Sequence, residues 1–350
     1  MKFFTKEILE LVRGQSRDAE INGRISHTVL DMIYTERLFK LFVPDRMNGR
    51  MMDLADAVKL FEEASYIDGS FGWLVTIGSG GGYFSGIFEK DVSQRLFTLA
   101  DAVIAGSGFI GGSAKKTSGG YQVSGSWKYC SGADFATIFT ANCLLEDGAI
   151  RSFIFTPDQV TVHMDWDAFG MKATGSHTIS VQDVYVPEEM TFDISNGRRS
   201  DDAPIFAYPF IPFAEASFAA VNIGVCKHFI EEARESIKIY NKPNDAAMMH
   251  RYTLVSQIIR EQEQILNADA ERFHKTVEVS WQLTTPRHLV SDAVYTEVDR
   301  GSKKASATAL DCAHHIYRYL GLAVVMESST LNRCWRDLHT ASQHVLLRDF

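Results

Sequence analysis

The chain has 350 residues, of which 45% are hydrophobic and 23% are charged, and its formal net charge is −9. This length exceeds the usual size of one domain, so two or three subdomains around a large core are expected. The negative charge argues against a nucleic-acid or anionic-membrane surface, which needs clustered lysine and arginine. Five cysteines without a CxxC pair disfavour a disulfide framework and a zinc site, and favour a reducing cytoplasm.

The N-terminal block, from Thr5 to about Asp101, has apolar residues at helical spacing. Charged residues in its first turns disfavour a secretory leader. Its longest uncharged run, Gly69 to Phe88, approaches the length of a membrane span, but the many glycines favour a buried helix and loop. The glycines between 78 and 82 suggest a wide entrance to a pocket.

The middle block changes to the alternation of β-strands, and the last block returns to helical spacing. Alternating segments are Tyr121–Tyr129, Ile150–Phe155 and Thr178–Val186. We predict an antiparallel β domain, because no helical repeat here is long enough for parallel crossovers. Long helices are predicted near residues 214–240, 245–276, 291–320 and 330–345, which suggests a four-helix bundle. The predicted domains are 1–102, 103–205 and 206–350, and the class is α+β, rich in helix.

Two common site patterns can be set aside. Gly106 to Gly111 fits the dinucleotide pattern GxGxxG, but turn-forming residues follow instead of a helix, so we interpret it as a chance match in a loop. His314 and His315 diverge on a helix, and His339 and His344 are five residues apart, which is poor for chelation. No metal site is predicted.

Three segments carry the most information. The first runs from Tyr121 to Asp134 and contains Ser131-Gly132 near its end. The second is Phe169 to Ser176, followed by the strand that ends at Pro187. The third begins near Thr330 and would place Arg333, Asp337, Thr340 and His344 on one helix face. Considered alone, the first segment would be a strand followed by a turn, the second a loop, and the third a helix with an ion-paired face.

Together these segments resemble the flavin monooxygenases that have an acyl-CoA dehydrogenase fold. The first is similar to the family pattern GGYxVSGxWxxxSGxxxA, and the second to GMRGTGS…VxDVxVP. The resemblance extends from about Arg24 to His344. It implies an N-terminal helical domain, a middle antiparallel β domain and a C-terminal four-helix bundle.

The resemblance also implies a site. His344 and Ser131 would be the catalytic groups beside the flavin, with Ser131 near its N5–C4a edge and His344 able to take a proton from a phenolic substrate. Ser131 would contribute its hydroxyl or only its backbone. The residues expected to bind the flavin are Trp127, Tyr129, Ser131, Gly132, Thr174, Gly175, Ser176 and Arg333.

Departures from the dehydrogenase pattern favour oxygenation. Val345 stands where many acyl-CoA dehydrogenases carry their glutamate base, and Glu215 is the only replacement base nearby in the alignment. The arginine and FGxP segment that hold the AMP half of FAD are replaced by Tyr240 and by Asn241 to Pro243, and Gly321 to Val324 replaces a GGxG turn. Reduced FMN is therefore expected rather than tightly held FAD.

The leading hypothesis is the oxygenase component of a two-component flavin-dependent monooxygenase. A separate reductase would supply reduced flavin, which with O2 forms a C4a-hydroperoxide that hydroxylates a small aromatic or hydrophobic substrate. One alternative is an acyl-CoA dehydrogenase-like oxidoreductase, and another is an inactive flavin-fold binding subunit. A cytoplasmic homotetramer without nucleic-acid or membrane partners is expected.

Overall fold

A computed structural model describes residues 2–194, 199–285 and 290–348. The N-terminal helices are α1 Lys6–Asn22, α2 His27–Thr35, α3 Leu54–Ile67, α4 Gly69–Gly82 and α5 Lys90–Phe97. The strands are β1 Ile104–Thr117, β2 Gly120–Cys130, β3 Ile138–Leu145, β4 Ile150–Phe155, β5 Thr161–His163, β6 His177–Pro187 and β7 Thr191–Phe192. The last helices are α6 Pro204–Ala207, α7 Phe210–Ile237, α8 Ala246–Thr284, α9 Asp292–Tyr317 and α10 Thr330–Ala341. The predicted order of helical, β and helical blocks is confirmed.

Helix α4 begins at Gly69, the first residue of the uncharged run, and packs closely against neighbouring elements. The Asp68 carboxylate caps it by accepting a hydrogen bond from the Phe71 N–H. A Cβ on Gly78 would lie 2.3 Å from the Phe39 ring, and one on Gly81 would lie 2.7 Å from Ile104. The expectation of a wide entrance was therefore wrong, because these glycines allow close packing rather than an opening.

The seven strands form one sheet in the order β5-β6-β2-β1-β3-β4-β7. Every pairing is antiparallel except β1 with β3, which is parallel, so the prediction of a wholly antiparallel domain needs this correction. The chain leaves β2 beside the start of β1, crosses in residues 131–137, and enters β3 on the other side of β1. No crossover helix is needed. This crossing carries the Ser131-Gly132 turn.

The GxGxxG match lies inside strand β1, not in a loop as predicted. Register shifts between Ser107 and Ile110, and between Ile110 and Gly112, mark bulges there. Gly111 and Gly112 lie against the Trp127 indole, where a Cβ would come within 2.7 and 2.5 Å of ring atoms. The glycines therefore make room for a buried tryptophan, and no helix follows them.

The bundle is formed by α7, α8, α9 and α10. Helix α7 and the turn after it are long and apolar enough to cross a membrane by composition, but 83% of the relevant window is buried within the protein. Helix α10 ends at Ala341 rather than continuing to residue 345. His344 consequently lies beyond the helix, as the cap of the 3-10 turn Val345–Leu347, and not on the predicted polar face.

Candidate functional site

The turn after β2 has a strained backbone and few free N–H groups. Tyr129 has φ 68° and its side chain is 69% exposed, and Gly132 has φ 74°. The Ser131 N–H donates to the Tyr129 carbonyl at 3.1 Å, and the Ala133 N–H donates to the Cys130 carbonyl at 3.2 Å. The backbone N–H of Ser131 is therefore used within the turn, which leaves the hydroxyl as its polar group for a ligand.

The loop that carries Thr174, Gly175 and Ser176 is attached directly to this turn. The Gly132 N–H donates to the Thr174 carbonyl at 2.8 Å. The Ser131 and Ser176 hydroxyl oxygens are 2.8 Å apart, and those of Ser176 and Thr174 are 2.6 Å apart. All three hydroxyl side chains are buried. The structure thus brings together two segments that the sequence places more than forty residues apart.

Trp73 of α4 joins this hydroxyl group to the C-terminal segment. Its indole N–H donates to the Ser131 oxygen at 2.9 Å, and its ring stacks on Phe218 with 5.3 Å between centroids. The His344 ring lies 4.2 Å from the Phe218 ring and 6.1 Å from that of Trp73. Ser131 and His344 therefore both contact the same aromatic pair, Trp73 and Phe218. The sequence analysis assigned neither Trp73 nor Phe218 to the site.

The electrostatics of His344 favour a hydrogen-bond donor. Burial lowers its pKa to about 4, so the ring is neutral at physiological pH. Its Nδ1 accepts a hydrogen bond from the Leu346 N–H at 3.3 Å, so the neutral ring carries its hydrogen on Nε2. With its lone pair occupied at Nδ1, the ring has no free acceptor for a substrate proton. The predicted proton-accepting role is thus disfavoured, and a donor role at Nε2 stays a prediction.

Trp127 is not placed to bind a flavin. Its side chain is fully buried, and its indole N–H donates to the Asn142 carbonyl at 2.9 Å. Simple alternation would put Trp127 and Tyr129 on the same face of β2. A register shift against β6 between Trp127 and Cys130, together with the positive φ of Tyr129, turns the Tyr129 ring outward while Trp127 stays in the core. Of the two predicted aromatic contacts, only Tyr129 is exposed.

Arg333 is likewise used inside the protein. Its guanidinium lies 3.7 Å from the Asp68 carboxylate, and both side chains are buried. Since Asp68 caps α4, this ion pair joins α10 to the helix that carries Trp73. A buried ion pair between helices accounts for Arg333 without the flavin contact that the sequence predicted.

The Arg336-Asp337 pair holds the loop of the site. Arg336 donates to the Phe169 carbonyl at 2.6 Å, and the Asp337 carboxylate accepts from the Met171 N–H at 2.6 Å. Arg336 also forms a buried ion pair with Glu20 of α1. Burial, and after it the Asp68 carboxylate, raises the pKa of Asp337 to about 7. Helix α10 therefore positions the loop that ends in Thr174–Ser176.

Glu215 lies in α7 against α9 and is buried. Burial, followed by the neighbouring Asp299 carboxylate, raises the pKa of Glu215 to about 8. A carboxyl that is protonated at neutral pH is a poor proton acceptor. Among the described residues, no group of three or more His, Cys, Asp or Glu side chains could hold a metal ion.

A polar cavity of about 340 Å3 lies elsewhere, between α1, the loop that begins at Trp166, and α10 with the residue Glu327 that precedes it. Positive and negative side chains both line it, and they include Arg17, Glu20, Lys172 and Glu327. Its charges balance, and Ser131 and His344 are not among its lining residues. The hydroxyl and imidazole groups, rather than this cavity, define the candidate site.

Comparison with known proteins agrees with the family that the sequence resembles. Residues 216–349 match the family model "Acyl-CoA dehydrogenase, C-terminal domain". An indole-3-acetate monooxygenase from Pseudomonas putida is 26% identical, over 98% of this chain and 89% of that protein. The oxygenase subunit HsaA of a flavin-dependent monooxygenase from Rhodococcus jostii is 21% identical, over 96% of this chain and 92% of that protein. The chain is a homologue of flavin-dependent monooxygenases with the acyl-CoA dehydrogenase fold.

Solved structures support the fold independently. The 3-HSA hydroxylase from Rhodococcus sp. superposes with a TM-score of 0.92 at 20% identity, covering 97% of this chain and 91% of that one. Among other structures of this fold, one from Streptomyces sp. holds FADH2 and another holds FMN. The likeness shows the fold, and FADH2 and FMN are the flavins that those two proteins hold.

The residues of the site fit a flavin ring. An isoalloxazine needs a planar apolar surface and uncharged hydrogen-bonding groups at its edge. Tyr129 supplies an exposed aromatic ring, and Ser131 supplies a hydroxyl beside the Trp73 indole. The flavin contacts of Tyr129, Ser131, Gly132, Thr174, Gly175 and Ser176 stay predictions.

Proposed function

We propose that this flavin-dependent oxidoreductase is the oxygenase component of a two-component monooxygenase that hydroxylates a small aromatic or hydrophobic substrate. The observation that carries the proposal is that Ser131 and His344 contact the same stacked aromatic pair, Trp73 and Phe218. These residues come from the β2 turn, the C-terminal segment, α4 and α7. Reduced flavin, delivered by a separate reductase, supplies the electrons that activate O2.

The protein's own contribution is orientation, a hydrogen-bond donor and exclusion of water. Ser131 is fixed by Trp73 and Ser176. His344 is neutral and presents Nε2–H as a donor, which suits stabilisation of developing negative charge on oxygen. The Trp73 and Phe218 rings stack on each other and provide the apolar wall that a water-excluding site requires.

The test mixes the anaerobic complex of the protein and reduced FMN with O2 in a stopped-flow spectrometer, with indolic and phenolic substrates present. We expect substrate hydroxylation that depends on reduced flavin. Anaerobic bleaching of oxidised flavin by an acyl-CoA would instead establish the dehydrogenase alternative. A protein that binds no flavin in either redox state would be the inactive binding subunit.

The dehydrogenase alternative requires a base that removes a proton from the substrate, and neither candidate position supplies one. Val345 occupies the position of the missing glutamate and is 61% exposed. Glu215 faces Asp299 and has its pKa raised to about 8. Neither residue is suited to remove a proton from the α-carbon of an acyl chain.

Reduced FMN is the proposed form of the flavin. The argument rests on the segments that replace the AMP-binding motifs of the dehydrogenases. The Arg251 guanidinium lies 4.1 Å from the Tyr240 ring centre, and its terminal nitrogen lies beside Gly321. These side chains are occupied with one another in a cation–π contact. Titration of the protein with reduced FMN and reduced FAD in parallel tests this choice, and clearly tighter binding of FAD would contradict it.

We also propose a homotetramer in a reducing cytoplasm. All five cysteines are unpaired and buried, which is the pattern of a protein kept in reducing conditions. The exposed apolar residues along α8 support association between bundles.

A further inference from the structure

The hydroxyl groups of Ser131, Ser176 and Thr174 form a chain of hydrogen bonds whose two ends have a fixed donor and a fixed acceptor. At one end, the Trp73 indole N–H can only donate, and it donates to the Ser131 oxygen at 2.9 Å. At the other end, the Met171 carbonyl can only accept, and it accepts from the Thr174 hydroxyl at 2.8 Å. The two remaining contacts, Ser131 with Ser176 and Ser176 with Thr174, are hydroxyl pairs in which either oxygen could donate when each is considered alone.

The Met171 end removes that freedom for both hydroxyl pairs. Because the Thr174 hydrogen is used on the Met171 carbonyl, Ser176 must donate to Thr174. Because the Ser176 hydrogen is then used, Ser131 must donate to Ser176. The result is a one-way chain of hydrogen bonds: Trp73 to Ser131 to Ser176 to Thr174 to the Met171 carbonyl. Aligned hydrogen bonds of this kind reinforce one another.

This direction determines what Ser131 can offer to a ligand. Its hydroxyl hydrogen points to Ser176, and its backbone N–H is bonded to the Tyr129 carbonyl. Of the two lone pairs on its oxygen, one receives the Trp73 N–H. Ser131 therefore presents one remaining lone pair and no hydrogen, so it can accept a hydrogen bond from a ligand but cannot donate one.

We propose that this one-way chain makes the site select a flavin that carries hydrogen on N5 over oxidised flavin, with Thr174 and Ser176 as the positioning residues. The proposal rests on the proposed function and on the predicted placement of Ser131 at the N5 edge. Reduced flavin has N5–H, which can donate to the Ser131 lone pair. Oxidised flavin has only a lone pair at N5, so two acceptors would face each other and one buried acceptor would stay unsatisfied. The protein would thus take up the product of a reductase and release the spent cofactor.

The test compares dissociation constants for oxidised FMN, followed by absorbance, and for chemically reduced FMN under anaerobic conditions. Thr174→Val removes the hydroxyl while keeping the side-chain shape, so Ser176 is free to donate back to Ser131, whose own hydrogen is released. We expect oxidised FMN to bind more tightly to this variant, so that the preference for reduced FMN falls roughly five- to tenfold, the usual size of one net hydrogen bond.

Three further variants make the result specific. Thr174→Ser keeps the hydroxyl and should retain the wild-type preference. Ser176→Ala removes the acceptor of the Ser131 hydrogen by another route and should act like Thr174→Val, which covers the case in which the valine variant does not fold. Trp73→Phe removes a donor to Ser131 without reversing the chain, so the ratio of the two constants should change little even where both constants rise.

The outcomes separate the two proposals. If Thr174→Val and Ser176→Ala keep the wild-type ratio, or weaken both redox forms equally, the chain has only a structural role and the inference is wrong while the proposed function stands. If the wild-type protein binds neither form of FMN, it is the proposed function that fails.

Discussion

At the scale of single residues, His344 carries the clearest prediction for catalysis. Its Nε2–H is a donor, and removal of a donor from a charge-stabilising site costs roughly 10²–10³-fold in rate. We expect His344→Ala to reduce hydroxylation by about that factor, to increase uncoupled release of hydrogen peroxide, and to leave folding intact. His344→Gln, which retains an N–H donor, should recover part of the rate.

The pH dependence tests the protonation state of the same residue. Because burial lowers the pKa of His344 to about 4, its ring stays neutral as pH falls from 9 to 5. The hydroxylation rate should therefore show no inflection from this residue near pH 6.5. The exposed His315 provides a control, since His315→Ala should leave the rate and its pH profile unchanged. Full activity of His344→Ala, with unchanged coupling, would contradict the catalytic assignment.

Glu215 gives a prediction about stability. The folded protein raises the pKa of this carboxyl to about 8, whereas the unfolded chain releases the proton near its ordinary value of 4.5. Its contribution to the free energy of unfolding is therefore fully present below about pH 4.5 and is lost as pH rises through about 8. Glu215→Gln lacks this titration, so urea unfolding should show the variant gaining stability relative to wild type between pH 5 and 9.

A matched control is Glu271→Gln, at an exposed position on α8, which should leave the pH dependence of stability as in wild type. Hydroxylation should survive Glu215→Gln, because oxygen transfer needs no base at an α-carbon. Loss of flavin reduction by an acyl-CoA in this variant would reveal dehydrogenase chemistry and contradict the proposed function.

At the scale of elements, a single added Cβ atom can test whether α10 anchors the loop that carries Thr174 and Ser176. A Cβ on Gly170 would lie 2.1 Å from the Arg336 carbonyl oxygen and 2.6 Å from the Thr340 hydroxyl. Gly170→Ala should therefore push the loop from α10, with a loss of about 1–3 kcal/mol in the free energy of unfolding. Because the loop carries Thr174 and Ser176, reduced FMN should also bind more weakly.

Gly14→Ala is the control for this substitution. Gly14 lies within α1, and a Cβ there would meet nothing within 4 Å. Alanine should stabilise that helix by about 0.5–1 kcal/mol. Urea unfolding and titration with reduced FMN measure both variants. Equal stability and flavin affinity in Gly170→Ala and wild type would show that α10 does not hold the loop.

The sequence predicts which segments form the site better than it predicts which of their side chains face the site. Periodicity locates the strands and the bundle helices, and the similarity of three segments brings Ser131, Thr174 and His344 to one place. The sequence analysis groups Trp127 with Tyr129 as a flavin contact, but the two rings point in different directions. A register shift beside Tyr129 breaks the two-residue alternation of the strand. Pairing between distant strands, such as the parallel β1–β3 pair, depends on where the chain crosses and leaves no periodic trace.

Residues that act through a partner are the hardest to find. Arg333 looks like a ligand of an anionic group until Asp68 is seen beside it. Trp73 looks like a core residue of an apolar helix until its N–H is seen to donate to Ser131. The partner lies hundreds of positions away in the sequence for Arg333 and tens of positions away for Trp73. The role of each residue therefore depends on a contact that only the tertiary structure provides.

At the scale of the whole molecule, an apolar stripe on α8 predicts association. Leu254, Ile265, Val279 and Leu283 are each 40–49% exposed. At 100° per residue they fall within about 40° of one another around the helix, along roughly 43 Å of its length. Aligned apolar side chains of this extent are typical of a surface that another subunit covers. We therefore expect the outer face of the bundle to pack against a second copy in a symmetric oligomer.

Light scattering at micromolar concentration tests this expectation, with a tetramer as the expected species. Ile265→Glu places a charge in the middle of the stripe, where burial against another subunit would cost several kcal/mol, so it should yield dimers or monomers. Leu99→Glu, at a position that is 54% exposed in the N-terminal block, should leave the oligomer intact. A wild-type monomer would remove the prediction. A tetramer that persists in Ile265→Glu would place the contact on another surface, because a buried glutamate could not remain unpaired there.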